Sequence, residues 1–89
     1  MRLDQVVSAA VDPANATAVA SVDTDVVVAA VRQSHTVLAV PPIDLEAGLV
    51  CQGCAVPADG TIRVRITNAS AGAINGASKQ WTFLLFKED

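Results

Sequence analysis

The segment of residues 79–86, KQWTFLLF, constrains the fold most because it is apolar on both faces of an extended strand. Successive side chains of a strand point to opposite sides. Trp81 and Phe83 therefore lie on one face, and Leu84 and Phe86 lie on the other. A small single domain buries one face of each strand, so we expect the second face to be covered by a neighbouring subunit.

Residues 61–67, TIRVRIT, form the clearest alternating strand of the chain. Ile62, Val64 and Ile66 are predicted to face the core, and Arg63 and Arg65 to face outward. The sequence leaves two interpretations of this arginine pair open. Charged residues protect an exposed sheet against aggregation, whereas arginine is also enriched where one protein binds another.

Turn signals divide the remainder of the chain into further short segments. Asp12-Pro13 and the PADG of residues 57–60 are typical of turns, and Pro41-Pro42 ends a strand because proline donates no ladder hydrogen bond. The predicted fold is all-β: a small antiparallel β-sandwich or barrel-like (jelly-roll-like) domain of about six to seven short strands. The predicted β segments are 16–22, 23–32, 36–40, 49–56, 61–67 and 79–86. The segment 23–32 is predicted to begin with a turn that contains Asp23 and Asp25.

The length of 89 residues predicts a single domain, 1–89, with a sandwich over 15–89. Residues 1–14 are expected to form an N-terminal arm or an edge strand, although alanine favours a helical turn over residues 5–20. Sixteen alanines and fourteen valines supply most of the hydrophobic side chains. Such thin side chains build a shallow core, and small scaffolds commonly make up the missing stability by forming oligomers.

Composition and charge argue against several classes of function. The net charge is −3 and the six basic residues are dispersed, which does not fit the basic stripe of a nucleic-acid-binding protein. Charged residues or prolines interrupt every apolar run before the ~18 residues that a membrane-spanning helix needs. Asp4 argues against a secretory leader. We therefore expect the protein in the cytoplasm or in a particle assembled there.

The strongest candidate for chemistry is the C-x-x-C pair of Cys51 and Cys54. A structural zinc needs four ligands, and His35 is the only histidine available to join the two thiols. In a regular strand an offset of three sends the two side chains to opposite faces. Both cysteines are therefore predicted to be small hydrophobic residues of the core or an interface, and a small zinc or redox protein is a distant alternative.

Other polar residues have simpler interpretations than a site. His35 is expected to be an exposed turn residue, because no nucleophile motif accompanies Ser34. Asn68 matches a glycosylation sequon but is predicted to cap its strand by bonding to nearby backbone. Asp23 and Asp25 lack a calcium-loop pattern. We expect no enzymatic activity, no catalytic residue, no metal and no cofactor.

The order of motifs after residue 23 resembles small virion proteins of tailed bacteriophages, over roughly residues 23–86. The matching elements are Pro41-Pro42, Leu45 with 47–50 (AGLV), 58–61 (ADGT), Thr67-Asn68 with 70–74 (SAGAI), and Trp81. The family pattern has apolar residues where this chain has Cys51 and Cys54.

The resemblance implies a non-enzymatic β-fold that acts as a capsid decoration (cement) protein, on the outer surface of the virion head. It also implies a homotrimer and the major capsid protein as partner, with a head-fibre or tail adaptor module as the alternative. Residues predicted to form interfaces are Arg63, Arg65, Trp81, Phe83 and Phe86. Nucleic acid and membrane are not expected partners.

Overall fold

The computed structural model describes residues 1–13 and 15–88. These residues form six strands: β1 (Arg2–Val11), β2 (Ser21–Val27), β3 (Thr36–Val40), β4 (Leu49–Ala58), β5 (Thr61–Asn68) and β6 (Lys79–Lys87). The strands build two antiparallel three-stranded sheets in the orders β1-β6-β3 and β2-β5-β4. The predicted all-β fold, a small antiparallel sandwich, is confirmed.

The two strands with the clearest sequence patterns are the central strands of the two sheets. In β5, Ile62, Val64 and Ile66 are fully buried, as the alternation predicts. In β6, Trp81 and Phe83 turn toward the core with Leu85, and the rings of Trp81 and Phe83 stack with centroids 6.5 Å apart. A central strand has neighbours on both sides, so its inward side chains lose contact with water most completely.

Several segment boundaries differ from the sequence prediction. Residues 2–11 form an edge strand paired with β6, which is one of the two alternatives predicted for residues 1–14, and not an arm or a helical turn. Strand β2 covers 21–27 rather than 16–22 and 23–32, and Ala16 contributes only an isolated bridge to Ile74. Asp23 and Asp25 accordingly lie within a strand. The predicted arm boundary at residue 14 and the last residue, 89, lie outside the described residues.

The turn between β4 and β5 has the predicted chemistry. Ala58 pairs with Thr61, which leaves Asp59 and Gly60 as a two-residue connection. Gly60 has a φ of 85°, a left-handed conformation that glycine adopts without steric cost. This tight hairpin begins the pairing of β4 with β5, whose register then shifts between Ala55 and Ala58 and again between Cys51 and Gly53.

Candidate interaction surfaces

The outer face of the sheet β1-β6-β3 is mostly apolar, and none of the described strand residues that point outward from it has an ionisable side chain. The ladder register places three residues in its central row, Val6, Leu84 and Leu38, with Leu84 between the other two. Val6 is 57% exposed and Leu38 is 53% exposed. We call this surface the apolar face; its outward residues are Leu3, Val6, Ser8, Ala10, Thr36, Leu38, Val40, Gln80, Thr82, Leu84 and Phe86.

The three aromatic residues that the sequence predicts to form an interface lie on opposite faces of β6. Trp81 and Phe83 are 1% and 0% exposed within the single chain, so they are core residues and not contact residues. Phe86 lies on the apolar face, in a row with Leu3 and Thr36. The structure thus identifies which of the two faces of β6 is buried in the core and which lies on the outside of the sheet.

The outer face of the sheet β2-β5-β4 carries a ladder of ion pairs. Arg63 is directly opposite Asp25 on β2, and Arg65 is opposite Asp23. Each guanidinium donates two hydrogen bonds to its carboxylate, at 2.8 and 3.2 Å for Arg63 and at 2.9 and 3.2 Å for Arg65. These hydrogen bonds lower the pKa of both aspartates and raise the pKa of both arginines. We call this surface the charged face.

A β-bulge in β4 places the two cysteines on the same side of their strand. Cys51 is opposite Ile66 and Cys54 is opposite Val64, and the register shifts between Cys51 and Gly53. Both thiols pack against the core. The prediction that an offset of three sends them to opposite faces is therefore wrong, because Gln52 is an extra residue in the ladder.

The thiols lie beside an open groove of about 500 Å³ between the edge strands β3 and β4. The thiol of Cys54 donates to the carbonyl of Val37 at 3.2 Å. Burial raises the pKa of both thiols, which makes the thiolate scarce near neutral pH. Both cysteines are free, and residues 1–13 and 15–88 contain no cluster of three His, Cys, Asp or Glu side chains able to hold a metal ion.

His35 is not the exposed turn residue that the sequence predicts. Its side chain is only 7% exposed. Its Nδ1 accepts a hydrogen bond from the backbone N–H of Arg32 at 2.9 Å, which leaves Nε2 to donate to Asp4 at 2.9 Å. Lys87 contacts the same carboxylate at 3.3 Å. This cluster joins β1 and β6 to the residue preceding β3.

Asn68, the last residue of β5, is buried and holds the loop that connects β5 to β6. The side-chain amide donates to the carbonyls of Ala16, Thr17 and Gly72 at 2.8 to 3.2 Å. Its Oδ1 accepts hydrogen bonds from the backbone and the hydroxyl of Ser70. The predicted backbone-capping role of Asn68 is confirmed, and the asparagine of this sequon is completely buried.

No helix in the described part of the chain is long and apolar enough to cross a membrane. Comparison with protein-family models, with curated proteins and with solved structures finds no match to this chain.

Proposed function

We propose that the protein is a non-enzymatic structural protein, a capsid decoration (cement) protein that binds the outer surface of a tailed-phage head as a homo-oligomer. The apolar face is the observation that carries this proposal. It exposes Leu3, Val6 and Leu38 to at least 50% of their full accessible area. A contiguous apolar patch on a small protein is typical of a surface that another protein covers.

The motifs that resemble those of virion proteins stabilise the fold and do not form the apolar face. Asp59 and Gly60 make the hairpin turn, Asn68 organises a loop, and Trp81 fills the core. Gly48 has a φ of 95° and lies close to Ser70 and Ile74, where a larger residue would be strained. These residues explain why such a pattern specifies one sandwich. The contact surface is built from other positions.

In the proposed mechanism, each bound copy adds buried interface across a junction between capsid subunits. Internal pressure opens such junctions, and an added contact opposes the opening in proportion to the free energy of binding. Specific attachment requires roughly 1,000 Å² or more of buried surface per contact. A small sandwich with two chemically different faces suits this role, because the apolar face can bind a second copy while the rest of the surface remains available to the shell.

The test uses shells assembled from the major capsid protein encoded in the same genome. We expect the purified chain to sediment with assembled shells, not to bind unassembled capsid subunits, and to raise the temperature at which shells disrupt. A chain that fails to bind any form of the shell at about 10 μM, a concentration at which specific contacts are occupied, contradicts the proposal. Sedimentation with isolated tails or fibres instead favours the adaptor role.

A further inference from the structure

We propose that the apolar face binds the same face of a second copy, with the two chains related by a two-fold axis. This inference rests on the proposed oligomeric structural role and names the partner of that surface. The central row of the face, Val6, Leu84 and Leu38, would lie at the middle of the contact. The two β1-β6-β3 sheets would pack about 10 Å apart, as sheets do inside a sandwich.

The chemistry of the face is complementary to itself. None of its eleven outward residues carries a charge, so two copies can meet without like-charge repulsion and without burying an unpaired ion. Its polar members are hydroxyl and amide side chains such as Ser8, Thr82 and Gln80, which both donate and accept hydrogen bonds. The charged face of the opposite sheet would bury four ionic groups in each copy if it packed in the same way.

The area of the apolar face is close to the smallest area that a stable dimer buries. Three strands about 4.8 Å apart, with a rise of about 3.3 Å per residue, offer a surface of roughly 15 by 25 Å. Covering this surface on two copies removes on the order of 1,000 Å² of accessible area, which is near the lower limit for specific association. We therefore expect a dimer that forms in the micromolar range.

Symmetry decides between a dimer and a three-fold ring. A two-fold contact uses one patch that complements itself, whereas a ring of three needs two different patches on every subunit. Within residues 1–13 and 15–88, the large exposed aliphatic side chains of the outer sheet surfaces concentrate on the apolar face. On the charged face, Val27 and Val50 are exposed on the two separate edge strands, on either side of β5. One contiguous apolar patch favours the two-fold arrangement.

The test compares the wild-type chain with Val6→Lys and Leu38→Lys by sedimentation velocity between about 1 and 100 μM, the range of a weak specific dimer. A lysine at either half-exposed position is hydrated in the free chain and buried in the dimer. We expect the mass of the wild type to rise with concentration toward twice the monomer mass near about 100 μM, and the dimer dissociation constant to increase about 100-fold or more for each variant. Far-UV circular dichroism should show the same β spectrum for all.

Val27→Lys is the matched control, because Val27 is 84% exposed on the other sheet; it should stay dimeric. Val6→Ser serves as a milder second variant if a lysine variant loses its β spectrum. A wild-type monomer at 100 μM, a wild-type trimer, or lysine variants that still dimerise would each overturn the inference. A trimer that binds shells would leave the proposed function standing, and a dimer that binds no shell would overturn the function alone.

Discussion

Cys51 and Cys54 face the same side of β4 although three positions separate them. The bulge at Gln52 and Gly53 produces this relationship, since it adds one residue and thereby restores the inward direction at Cys54. Same-face neighbours on a strand are about 6.6 Å apart, which exceeds the Cβ separation of an unstrained disulfide. The pair therefore behaves as two packed thiols along the groove between β3 and β4.

The first prediction is that changing Cys51 and Cys54 together to valine leaves the fold and the oligomer intact. Each thiol is only partly buried, so the combined loss of stability should be about 1 to 2 kcal/mol. Because burial raises the pKa of both thiols, alkylation at pH 7 should be slower than that of a cysteine in an unstructured peptide. Denaturant melts and timed alkylation measure the two effects.

Stoichiometric zinc in the purified wild-type protein, lost in the valine variant, would contradict the packing interpretation. So would thiol–disulfide exchange activity that depends on both cysteines. The single variants Cys51→Val and Cys54→Val serve as controls, since a bridging metal requires both sulfurs whereas packing effects should be nearly additive.

The second prediction concerns Asn68, which is completely buried and satisfies carbonyls from two separate segments. Asn68→Leu removes the amide donors from those carbonyls, which keep one other donor each, and it removes the acceptor of the Ser70 backbone N–H. We expect a loss of about 2 to 4 kcal/mol. Asn68→Asp has the same shape but places a carboxylate against carbonyl oxygens, and it should cost at least as much near neutral pH. Chemical denaturation measures both variants.

Asn15 supplies the comparison, because it begins the other sequon of the chain and lies on the surface. Asn15→Leu should change the unfolding free energy by less than about 0.5 kcal/mol. Equal losses at the two asparagines would show that the carbonyl network around Asn68 does not stabilise the loop.

The third prediction is a loss of stability in acid. The hydrogen bond from His35, followed by that from Lys87, lowers the pKa of Asp4 below 3.8. The N–H of Ala77 lowers the pKa of Glu46 below 4.5. A carboxylate whose pKa is lower in the folded chain stabilises the fold above its unfolded pKa, and this stabilisation disappears as the pH falls through the folded pKa.

Unfolding free energy should therefore be level above about pH 5 and fall progressively toward about pH 2. Asp4→Asn removes one of the groups responsible, so its stability should depend less steeply on pH over that interval. Asp12→Asn, at an exposed position after β1, is the control and should keep the wild-type slope. Identical slopes for all three proteins would show that the cluster of Asp4 and His35 does not contribute.

Features determined by neighbouring residues were predictable from the sequence. The prediction of strand β5 was correct because the alternation of its residues is complete. The prediction of the hairpin turn was correct because Asp59-Gly60 is a strong local signal. The sequence did not indicate which face of β6 points toward the core, since Trp81 and Phe86 lie on two faces that are both apolar. Pairing with β1 and β3 decides which face meets the core, and pairing is a long-range property.

The missed features all depend on contacts between distant segments. His35 is hydrogen-bonded to Asp4, 31 positions earlier in the chain, and no local pattern signals that contact. Cys51 and Cys54 face the same side of β4, contrary to the prediction, because the strand contains a bulge. The only sequence signal of that bulge is Gly53, which has a φ of 154° in the structure. Asp23 and Asp25 resembled a turn because aspartate is rare in strands, and only the opposing Arg65 and Arg63 make them suitable there.

The fourth prediction tests the role of the ion pairs on the charged face. Exchanging the partners in the double variant Asp25→Arg and Arg63→Asp keeps the cross-strand pair and reverses its polarity. Each arginine already donates two hydrogen bonds to its aspartate, so we expect the pair to protect the sheet and not to bind a partner. Melting temperature and oligomer mass should both stay close to wild type.

The single change Arg63→Asp places two carboxylates opposite each other and should lower the melting temperature, with a smaller effect at high salt because exposed charges are screened. If the exchanged pair folds normally but no longer binds shells, the alternative interpretation, that Arg63 and Arg65 contact a protein partner, becomes the correct one.

The last prediction compares the two faces of β6 through the same substitution at two positions. Phe83 is 0% exposed in the core, so Phe83→Ser should cost about 3 to 5 kcal/mol and abolish the β spectrum of so small a domain. Phe86 is only partly buried and lies on the apolar face beside Leu3. Phe86→Ser should preserve the β spectrum but raise the dissociation constant of the oligomer, because it removes apolar area from the contact. Light scattering over a concentration series, with circular dichroism on the same samples, separates the two effects. If Phe86→Ser associates as tightly as the wild type, Phe86 is not part of the contact. If the wild-type chain is a monomer throughout, the apolar face has no partner in a second copy.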